Sequence, residues 1–308
     1  MSSVPHSPAG RFAPSPTGPL HLGSLIAAVG SYLIARKTGR RWLLRIDDLD
    51  RPRVVAGSAD GIIRLLEKLG FEWDGTPVWQ SQRSERYDEV LQGLKNRRLV
   101  YPCGCSRKEI QASAPHTGEE GVIYPGTCRE NLIRTNKPLA WRLCTDQTPV
   151  LFCDRLKGDQ QQNLQAEIGD FVLFRSDGIY AYQLATVVDD LDTGVDQVVR
   201  GADLLGSTAR QIYLYRCLDR QCPEYYHLPL LLASNGKKIS KRHGAVGVVN
   251  HENGSEMMSL ALIFLNQSIP AKLIGAPAAD QLSWALGSFD LSLLEKEDKF
   301  IPDLQKSR

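Results

Sequence analysis

Apolar and polar residues alternate along the first hundred positions with two periods, one typical of strands and one typical of helices. Short apolar runs at Gly10–Ala13 and Arg41–Ile46 predict buried strands. From His21 to Lys37 apolar residues recur every three or four positions, which predicts a helix, and Ser58–Leu69 and Ser84–Asn96 repeat this pattern. Strands that alternate with helices of this length predict βαβ units and a parallel sheet.

The pattern changes at about Tyr101, where cysteines cluster and glycine, proline and threonine become frequent. This composition predicts an inserted subdomain of short strands and loops. Beyond Ile179 the alternating pattern returns, with a helix at Ser207–Leu218 and a last strand at Leu228–Ala233. The remaining residues predict a few short helices.

These changes predict an α/β fold: a Rossmann-type parallel sheet with an inserted subdomain and a short helical end. The predicted parts are the first half of a catalytic domain at 1–100, the insert at 101–178, the second half of the catalytic domain at 179–247, and a helical region at 248–308.

Composition and charge narrow the classes of function. The opening residues do not read as a secretion signal, and no apolar run approaches the roughly 20 residues of a membrane span, so we expect a cytoplasmic protein. A net charge of +2 argues against sequence-blind binding to DNA, although local basic patches could still hold a shaped RNA. Seven cysteines in a reducing compartment are expected to be metal ligands or core residues rather than disulfides.

Two remote segments have the chemistry of a nucleotide site. Arg11–Ser24 lies at a strand–turn–helix junction, where backbone N–H groups can bind phosphate, and His21 could donate a hydrogen bond to a phosphate oxygen. Gly23 lacks a Cβ and would let a flat base approach the backbone. Lys237–Ala245 carries two lysines three residues apart and could close over a triphosphate. Taken singly, the two segments could equally be a histidine-capped turn and a solvated basic loop.

Taken together, the strings RFAPSPTGPLHLGS and KKISKRHGA resemble the paired signatures of class I aminoacyl-tRNA synthetases, and of their glutamyl branch in particular. The resemblance runs from Arg11 to about Ala245 and implies an enzyme that uses ATP and Mg²⁺ to activate glutamate. It implies catalytic roles for His21, Lys238 and Lys241. The ATP-binding residues that it implies are His21, Gly23, Ser24, Lys238, Ser240 and Lys241. Ser24 stands where the general class I pattern has a second histidine, which glutamyl members often lack.

A glutamate site needs an arginine fork for a carboxylate and a carboxylate for the ammonium group. Arg11 and Asp47 end the first two predicted strands, where ligands bind in open α/β sheets. The resemblance implies a glutamate pocket made of Arg11, Ser15, Asp47, Tyr182 and Arg200. Glutamyl members carry a glutamate where this chain has Asp47, and this shorter acid could shift the substrate or admit a water. Each of these residues could instead have a structural role. Asp47–Asp50 could be a surface acidic turn, Tyr182 a half-buried aromatic on a strand, and Arg200 a member of a surface ion pair.

Three cysteines in the predicted insert suggest a metal site. Cys103, Cys105 and Cys128 supply three thiolates of the four ligands that tetrahedral zinc requires. His116 is the conventional fourth ligand, whereas the resemblance to the glutamyl branch implies Tyr124. One structural zinc ion is therefore expected; the alternative is three reduced, unliganded cysteines.

About sixty residues follow the lysine loop, fewer than an anticodon-binding domain of ordinary size needs. This short architecture resembles the glutamyl-queuosine tRNA(Asp) synthetase family, whose members transfer glutamate to the queuosine base in the anticodon of tRNA(Asp). The resemblance implies a partner that is the anticodon arm of tRNA(Asp), and we expect a monomer. The alternatives are a truncated glutamyl-tRNA synthetase that charges a tRNA 3′ end and a non-catalytic paralogue that binds RNA. A small nucleotidyltransferase fits poorly, because it explains neither RFAPSPTG nor the cysteines.

Overall fold

A computed structural model describes residues 7–113, 117–118, 121–130, 136, 138–232 and 249–300. Its strands are labelled β1 to β14 in chain order. They are Ala9–Phe12, Arg41–Ile46, Val78–Trp79, Val100–Cys103, Thr117–Gly118, Gly121–Val122, Ala140–Leu143, Val150–Asp154, Gly158–Gln162, Phe171–Phe174, Val195–Gly201, Glu224–Leu228, Leu231–Leu232 and Lys299–Phe300.

The helices are labelled α1 to α10 in the same way. They are Leu22–Lys37, Ser58–Lys68, Ser84–Asn96, Arg107–Ser113, Thr127–Glu130, Leu164–Glu167, Tyr182–Thr193, Leu205–Cys217, Gly254–Phe264 and Ala278–Ser288. Within the described residues, no helix has both the length and the apolar character of a membrane span.

The main sheet has the strand order β3-β2-β1-β11-β12-β8-β9. Its neighbouring strands run parallel, except that β8 and β9 are antiparallel. The predicted α/β fold with a mainly parallel sheet is thus confirmed. From β1 the chain moves outward to β2 and β3, whereas the later strands are added on the other side of β1. The order therefore reverses between β1 and β11, and the carboxyl ends of these two strands diverge around a crevice.

Helices cover both faces of this sheet, because successive side chains of a strand point to opposite faces. Trp42 and Leu44 of β2 join a buried cluster with residues of α1, α2, α9 and α10. Leu43, between them, joins a second cluster with residues of α3, α7 and α8. The same alternation separates Val198 from Val199 in β11. Burial on both faces explains why these strands are continuous apolar runs.

Most elements of the first hundred residues match their predicted bounds, and β2 and α3 match at both ends. The predicted strand Leu228–Ala233 is wrong in position: β12 ends at Leu228, and only Leu231–Leu232 is extended further on. Pro229 has no N–H to donate to a neighbouring strand, so it ends β12. The strand interpretation of Tyr182 is also wrong, because this residue begins α7.

A second, smaller sheet follows the first βα units. It is antiparallel with the order β10-β7-β4. The first two cysteines lie at and just after the end of β4, and the third lies on α5. Strands β8 and β9 also fall within the predicted insert at 101–178, but they pair with the main sheet rather than the small one.

Candidate active site

The carboxyl ends of β1 and β11 open into a cavity of about 410 Å³. Its walls come from the turn before α1, from the start of α7, and from the segments that follow β2, β11 and β12. The predicted site residues that line it are Arg11, Ser15, His21, Gly23, Ser24, Asp47, Tyr182 and Arg200. The structure thus brings together residues of both predicted catalytic halves. Lys238, Ser240 and Lys241 lie outside the described residues, so their positions stay a prediction.

The turn before α1 is held in place on both sides. Asp47 N–H donates to Pro14 O at 3.0 Å, and Gly18 N–H donates to Ser58 Oγ at 3.1 Å. His21 is the N-cap of α1, and its Nδ1 accepts a hydrogen bond from the N–H of Ser24 at 3.1 Å. The positive end of this helix therefore lies at the cavity wall, which is a suitable place for phosphate oxygens.

Gly23 packs closely against the histidine ring. A Cβ added to Gly23 would lie 3.2 Å from His21 Nδ1 and 3.3 Å from the adjacent ring carbon. A side chain at this position would push the ring away from its capping position. Besides the predicted close approach of a base, this contact is a second reason for the missing side chain.

Arg200 is 5% exposed and has neutral hydrogen-bond partners. Its Nε donates to His227 Nε2 at 3.0 Å, its Nη2 to Thr208 Oγ1 at 2.9 Å and its Nη1 to Tyr182 Oη at 3.3 Å. Within the described part of the chain, no carboxylate oxygen lies within 4.0 Å of this guanidinium. A buried arginine without a carboxylate is costly unless an anion binds beside it. The surface ion pair considered for Arg200 is therefore wrong.

The other side of the cavity contains a cluster of buried charges. Arg11 Nε lies 3.2 Å from Asp190 Oδ1, and Arg45 Nη1 lies 2.5 Å from the same oxygen. Arg45 Nε also pairs with Asp47 Oδ1 at 2.6 Å. Asp47 is 7% exposed at its side chain, so the interpretation of a surface acidic turn is wrong for this residue. Asp190 thus fixes the two arginines that stand at the ends of β1 and β2.

Burial and ion pairing act in opposite directions on these carboxyl groups. Burial raises the pKa of Asp47 above its ordinary value, although Arg45 partly opposes this shift. Burial alone would raise the pKa of Asp190 too, but Arg11 and Arg45 together hold it below its ordinary value. Asp190 is therefore the firmly ionised member of the cluster.

Several residues around the cavity were not predicted from the sequence: Arg45, Asp154, Asp190, Thr208 and His227. Signals for some of them were present in the sequence. Asp190 belongs to an acidic pair within the apolar run of α7, and His227 interrupts an apolar strand. Buried polar residues of this kind are uncommon unless a partner satisfies them.

The three cysteines of the insert form a compact cluster. The Sγ atoms of Cys103, Cys105 and Cys128 all lie within 4.8 Å of one another, and two of them, Cys105 and Cys128, are 3.4 Å apart. Tyr124 Oη lies 3.4 Å from Cys103 Sγ and 3.7 Å from Cys105 Sγ. Tetrahedral zinc with ordinary bond lengths separates its ligand atoms by about 3.5–3.8 Å. The four residues therefore fit a tetrahedral metal site. His116 lies outside the described residues.

Buried hydrogen bonds hold this cluster against the small sheet. The Cys128 N–H donates to Tyr124 Oη at 2.9 Å, and the Arg142 guanidinium stacks 3.8 Å from the centre of the Tyr124 ring. Asp170 accepts hydrogen bonds from Tyr101 Oη and Arg129 Nη2, both at 2.6 Å. The tyrosine oxygen is thus fixed beside the thiols by its surroundings.

The chain is similar to known tRNA synthetases. Residues 9–266 match the family described as "tRNA synthetases class I (E and Q), catalytic domain". A curated protein of Geobacter sulfurreducens named Glutamyl-Q tRNA(Asp) synthetase is 50% identical over 301 residues, 96% of each chain. Its namesake in Dechloromonas aromatica is 52% identical over 277 residues, which is 90% of this chain and 92% of that protein.

A solved structure has the same fold. The glutamate tRNA ligase of Elizabethkingia meningosepticum, described as a complex with its amino acid, superimposes with a TM-score of 0.76 at 25% identity. The match covers 96% of this chain and 67% of that chain.

Proposed function

Because the chain belongs to the class I tRNA synthetase family of the E and Q type, and within it to the Glutamyl-Q tRNA(Asp) synthetases, we propose that it activates glutamate with ATP and transfers it to queuosine in the anticodon of tRNA(Asp). The observation that carries the glutamate part is the buried guanidinium of Arg200, which faces the cavity without a carboxylate partner among the described residues. Because the proposed substrates are ATP, glutamate and tRNA, we expect the reaction to take place in the cytoplasm.

The charges around the cavity suit glutamate. Asp47 and Asp190 balance the two arginines at the ends of β1 and β2. Arg200 has no carboxylate among its hydrogen-bond partners in the described residues, so its guanidinium is available to the substrate. Glutamate has a side-chain carboxylate that can pair with it, whereas glutamine has a neutral amide there and would leave Arg200 without this partner.

Each predicted glutamate ligand has a chemically suitable role in this proposal. Arg11 and Arg200 bind carboxylate oxygens, and Asp47, whose carboxylate has lone pairs beyond those that Arg45 uses, accepts from the ammonium group. Tyr182 is 37% exposed and positions Arg200 through its hydroxyl. Ser15 lies in the turn before α1 and offers a hydroxyl to the substrate.

Activation places the ATP at the turn before α1. His21, Gly23 and Ser24 line this wall, and the lysine loop with Lys238, Ser240 and Lys241 is proposed to close over the triphosphate. An α-carboxylate oxygen of glutamate attacks the α-phosphorus, pyrophosphate leaves, and His21 and the lysines stabilise the charge that develops. Mg²⁺, when it accompanies ATP, supplies further charge neutralisation on the phosphates.

Transfer completes the proposed reaction. A hydroxyl group of the queuosine cyclopentenediol attacks the carbonyl carbon of glutamyl-adenylate, and AMP leaves. A splayed anticodon loop would present the modified base to the cavity, in the manner of other single-stranded RNA recognition. We expect one chain to act alone on the anticodon arm.

The site of attachment tests this function. The protein is incubated with labelled glutamate, ATP and total tRNA, and the labelled nucleotide is mapped after digestion. We expect base-linked glutamate on queuosine-containing tRNA(Asp), and tRNA without queuosine should accept less than about a hundredth as much, because the attacking hydroxyl group is absent. Removal of the 3′-terminal adenosine should leave acceptance unchanged.

The other outcomes of this test separate the rival functions. Acceptance that disappears with the terminal adenosine would establish a glutamyl-tRNA synthetase that charges a 3′ end, a function favoured by the fold of the Elizabethkingia ligase. Absence of glutamate-dependent ATP–pyrophosphate exchange would favour a non-catalytic RNA-binding paralogue.

We further propose one structural zinc ion held by Cys103, Cys105, Tyr124 and Cys128. We expect purified protein to contain about one zinc per chain, and Cys128→Ser to lose it because only two thiolates remain. Tyr124→Phe should weaken zinc binding at least about tenfold, since it removes a ligand oxygen and keeps the ring. Zinc is measured by mass spectrometry of metals after chelator competition.

Cys153→Ser is the matched control, because this exposed cysteine lies on β8, outside the cluster. Full zinc content in Cys128→Ser would exclude the proposed site. Unchanged affinity in Tyr124→Phe would exclude tyrosine as a ligand and leave His116 as the alternative.

A further inference from the structure

A chain of buried hydrogen bonds runs from the end of β8 to Arg200. Asp154, the last residue of β8, is 1% exposed, and His227 on β12 is fully buried. Asp154 Oδ2 lies 2.6 Å from His227 Nδ1, and Arg200 Nε lies 3.0 Å from His227 Nε2. The three side chains come from three neighbouring strands, in the order β8, β12 and β11.

The donors and acceptors of this chain determine the histidine tautomer. Arg200 Nε can only donate a hydrogen bond, so His227 Nε2 must accept it with its lone pair. The proton of neutral His227 is therefore on Nδ1, and it is donated to the Asp154 carboxylate. The other oxygen of Asp154 accepts from the backbone N–H groups of Leu156 and Lys157 at 3.0 and 2.7 Å, which fixes the carboxylate.

Burial and the charge of Arg200 favour this neutral state of His227. Burial lowers the pKa of His227 below its ordinary value, the Arg200 charge adds to this effect, and the Asp154 carboxylate opposes it. Asp203, in the turn after β11, also opposes it, and Thr208 Oγ1 of α8 lies 3.1 Å from Nε2. On β12 itself, the Tyr225 ring stacks 6.1 Å away.

We propose that Asp154 and His227 are positioning residues that aim the Arg200 guanidinium at the glutamate carboxylate. This inference rests on the proposed function and deepens it. A direct carboxylate partner would fix Arg200 equally well but would neutralise it. A neutral imidazole acceptor fixes Nε and leaves the charge for the ligand, while Asp154 keeps the imidazole in the required tautomer. Neither residue lines the cavity, so neither touches the substrate.

Three substitutions separate positioning from packing. In Asp154→Asn, the side-chain oxygen keeps the two backbone N–H groups, so the amide nitrogen faces His227 Nδ1 and forces the proton onto Nε2. His227→Asn keeps a partner for Asp154 and removes the acceptor for Arg200. His227→Gln restores an oxygen near the position of Nε2. The exposed His251→Asn is the matched control for loss of an imidazole.

Glutamate binding by calorimetry and the KM values for glutamate and ATP in pyrophosphate exchange are the measurements. We expect Asp154→Asn and His227→Asn to weaken glutamate binding at least about tenfold, as loss of one charge-assisted hydrogen bond does, with an unchanged KM for ATP. His227→Gln should recover most of this loss. Wild-type affinity in both asparagine variants, or equal losses in His227→Gln and His227→Asn, would overturn the proposal.

A measurement on the wild-type protein tests the proposal even if the variants fail to fold. Protonation of His227 puts a second N–H opposite Arg200 Nε, so glutamate affinity should fall as the pH drops through the lowered pKa of His227. In the wild-type protein, ¹⁵N NMR should show neutral His227 protonated on Nδ1, and a proton on Nε2 would contradict the positioning role. A wild-type protein that neither binds glutamate nor exchanges pyrophosphate would refute the proposed function itself, which distinguishes the two failures.

Discussion

Replacement of Arg200 by glutamine is expected to lower kcat/KM for glutamate by about 30- to 5,000-fold, which corresponds to about 2–5 kcal/mol. The substitution removes the buried positive charge that has no carboxylate partner among the described residues, and it leaves the ligand carboxylate without its counter-charge. Glutamate-dependent ATP–pyrophosphate exchange measures this effect. The KM for ATP should change by less than about threefold, because Arg200 lies on β11, whereas ATP is proposed to bind at the turn that precedes α1.

Two further variants make the Arg200 experiment specific. Arg64→Gln removes an exposed arginine of α2 and should leave exchange unchanged. Arg200→Lys keeps the charge but loses the planar fork, so its kcat/KM should fall between those of the wild type and Arg200→Gln. A kcat/KM of Arg200→Gln within about threefold of wild type would show that the cavity does not select its substrate through this charge.

Asp190→Asn is expected to have the largest effect on stability, a loss of about 3–5 kcal/mol in the free energy of unfolding. The substitution leaves two buried guanidinium groups, those of Arg11 and Arg45, without the carboxylate that they share. Urea denaturation at neutral pH measures it. Because both arginines hold the pKa of Asp190 below its ordinary value of 3.8, the ionised carboxylate stabilises the fold fully above that pH, and this contribution is lost as the pH falls through the folded-state pKa.

Asp192→Asn, on the same helix, is the matched control. The Asp192 side chain is 25% exposed and pairs with Arg83 and Arg86 at the surface, so its loss should cost less than about 1 kcal/mol. Equal losses in the two variants would mean that the buried cluster contributes no more than a surface ion pair does.

The sequence predicted those parts of the fold that depend on local patterns. The strand Arg41–Ile46 was correct because burial on two faces makes a strand apolar throughout, and the helix Ser84–Asn96 was correct because burial of one face gives a helix a period near 3.6. The strand predicted at Leu228–Ala233 failed because its apolar run continues through Pro229, and hydrophobicity alone carries no information on hydrogen-bond donors.

Position within a βα unit carries enough information to predict residues that line the cavity, whereas residues with remote partners were not predicted. Arg11 and Asp47 were identified from the ends of their strands. Asp190 pairs with Arg45, 145 positions earlier, and no local pattern connects them. His227 likewise depends on Asp154, 73 positions earlier. Only the fold brings such partners together.

The pairing of β1 with β11 has a consequence for how the protein is made. Ala9 pairs with Val195, so the floor of the cavity joins the first strand to one synthesised almost two hundred residues later. Most of the chain must therefore emerge from the ribosome before this floor can form. Because so long a loop closes slowly, we expect the pairing of β1 with β11 to be a late step of folding. Until then Arg11 lacks Asp190, its partner on α7, and Arg45 has only the nearby Asp47 as a counter-charge.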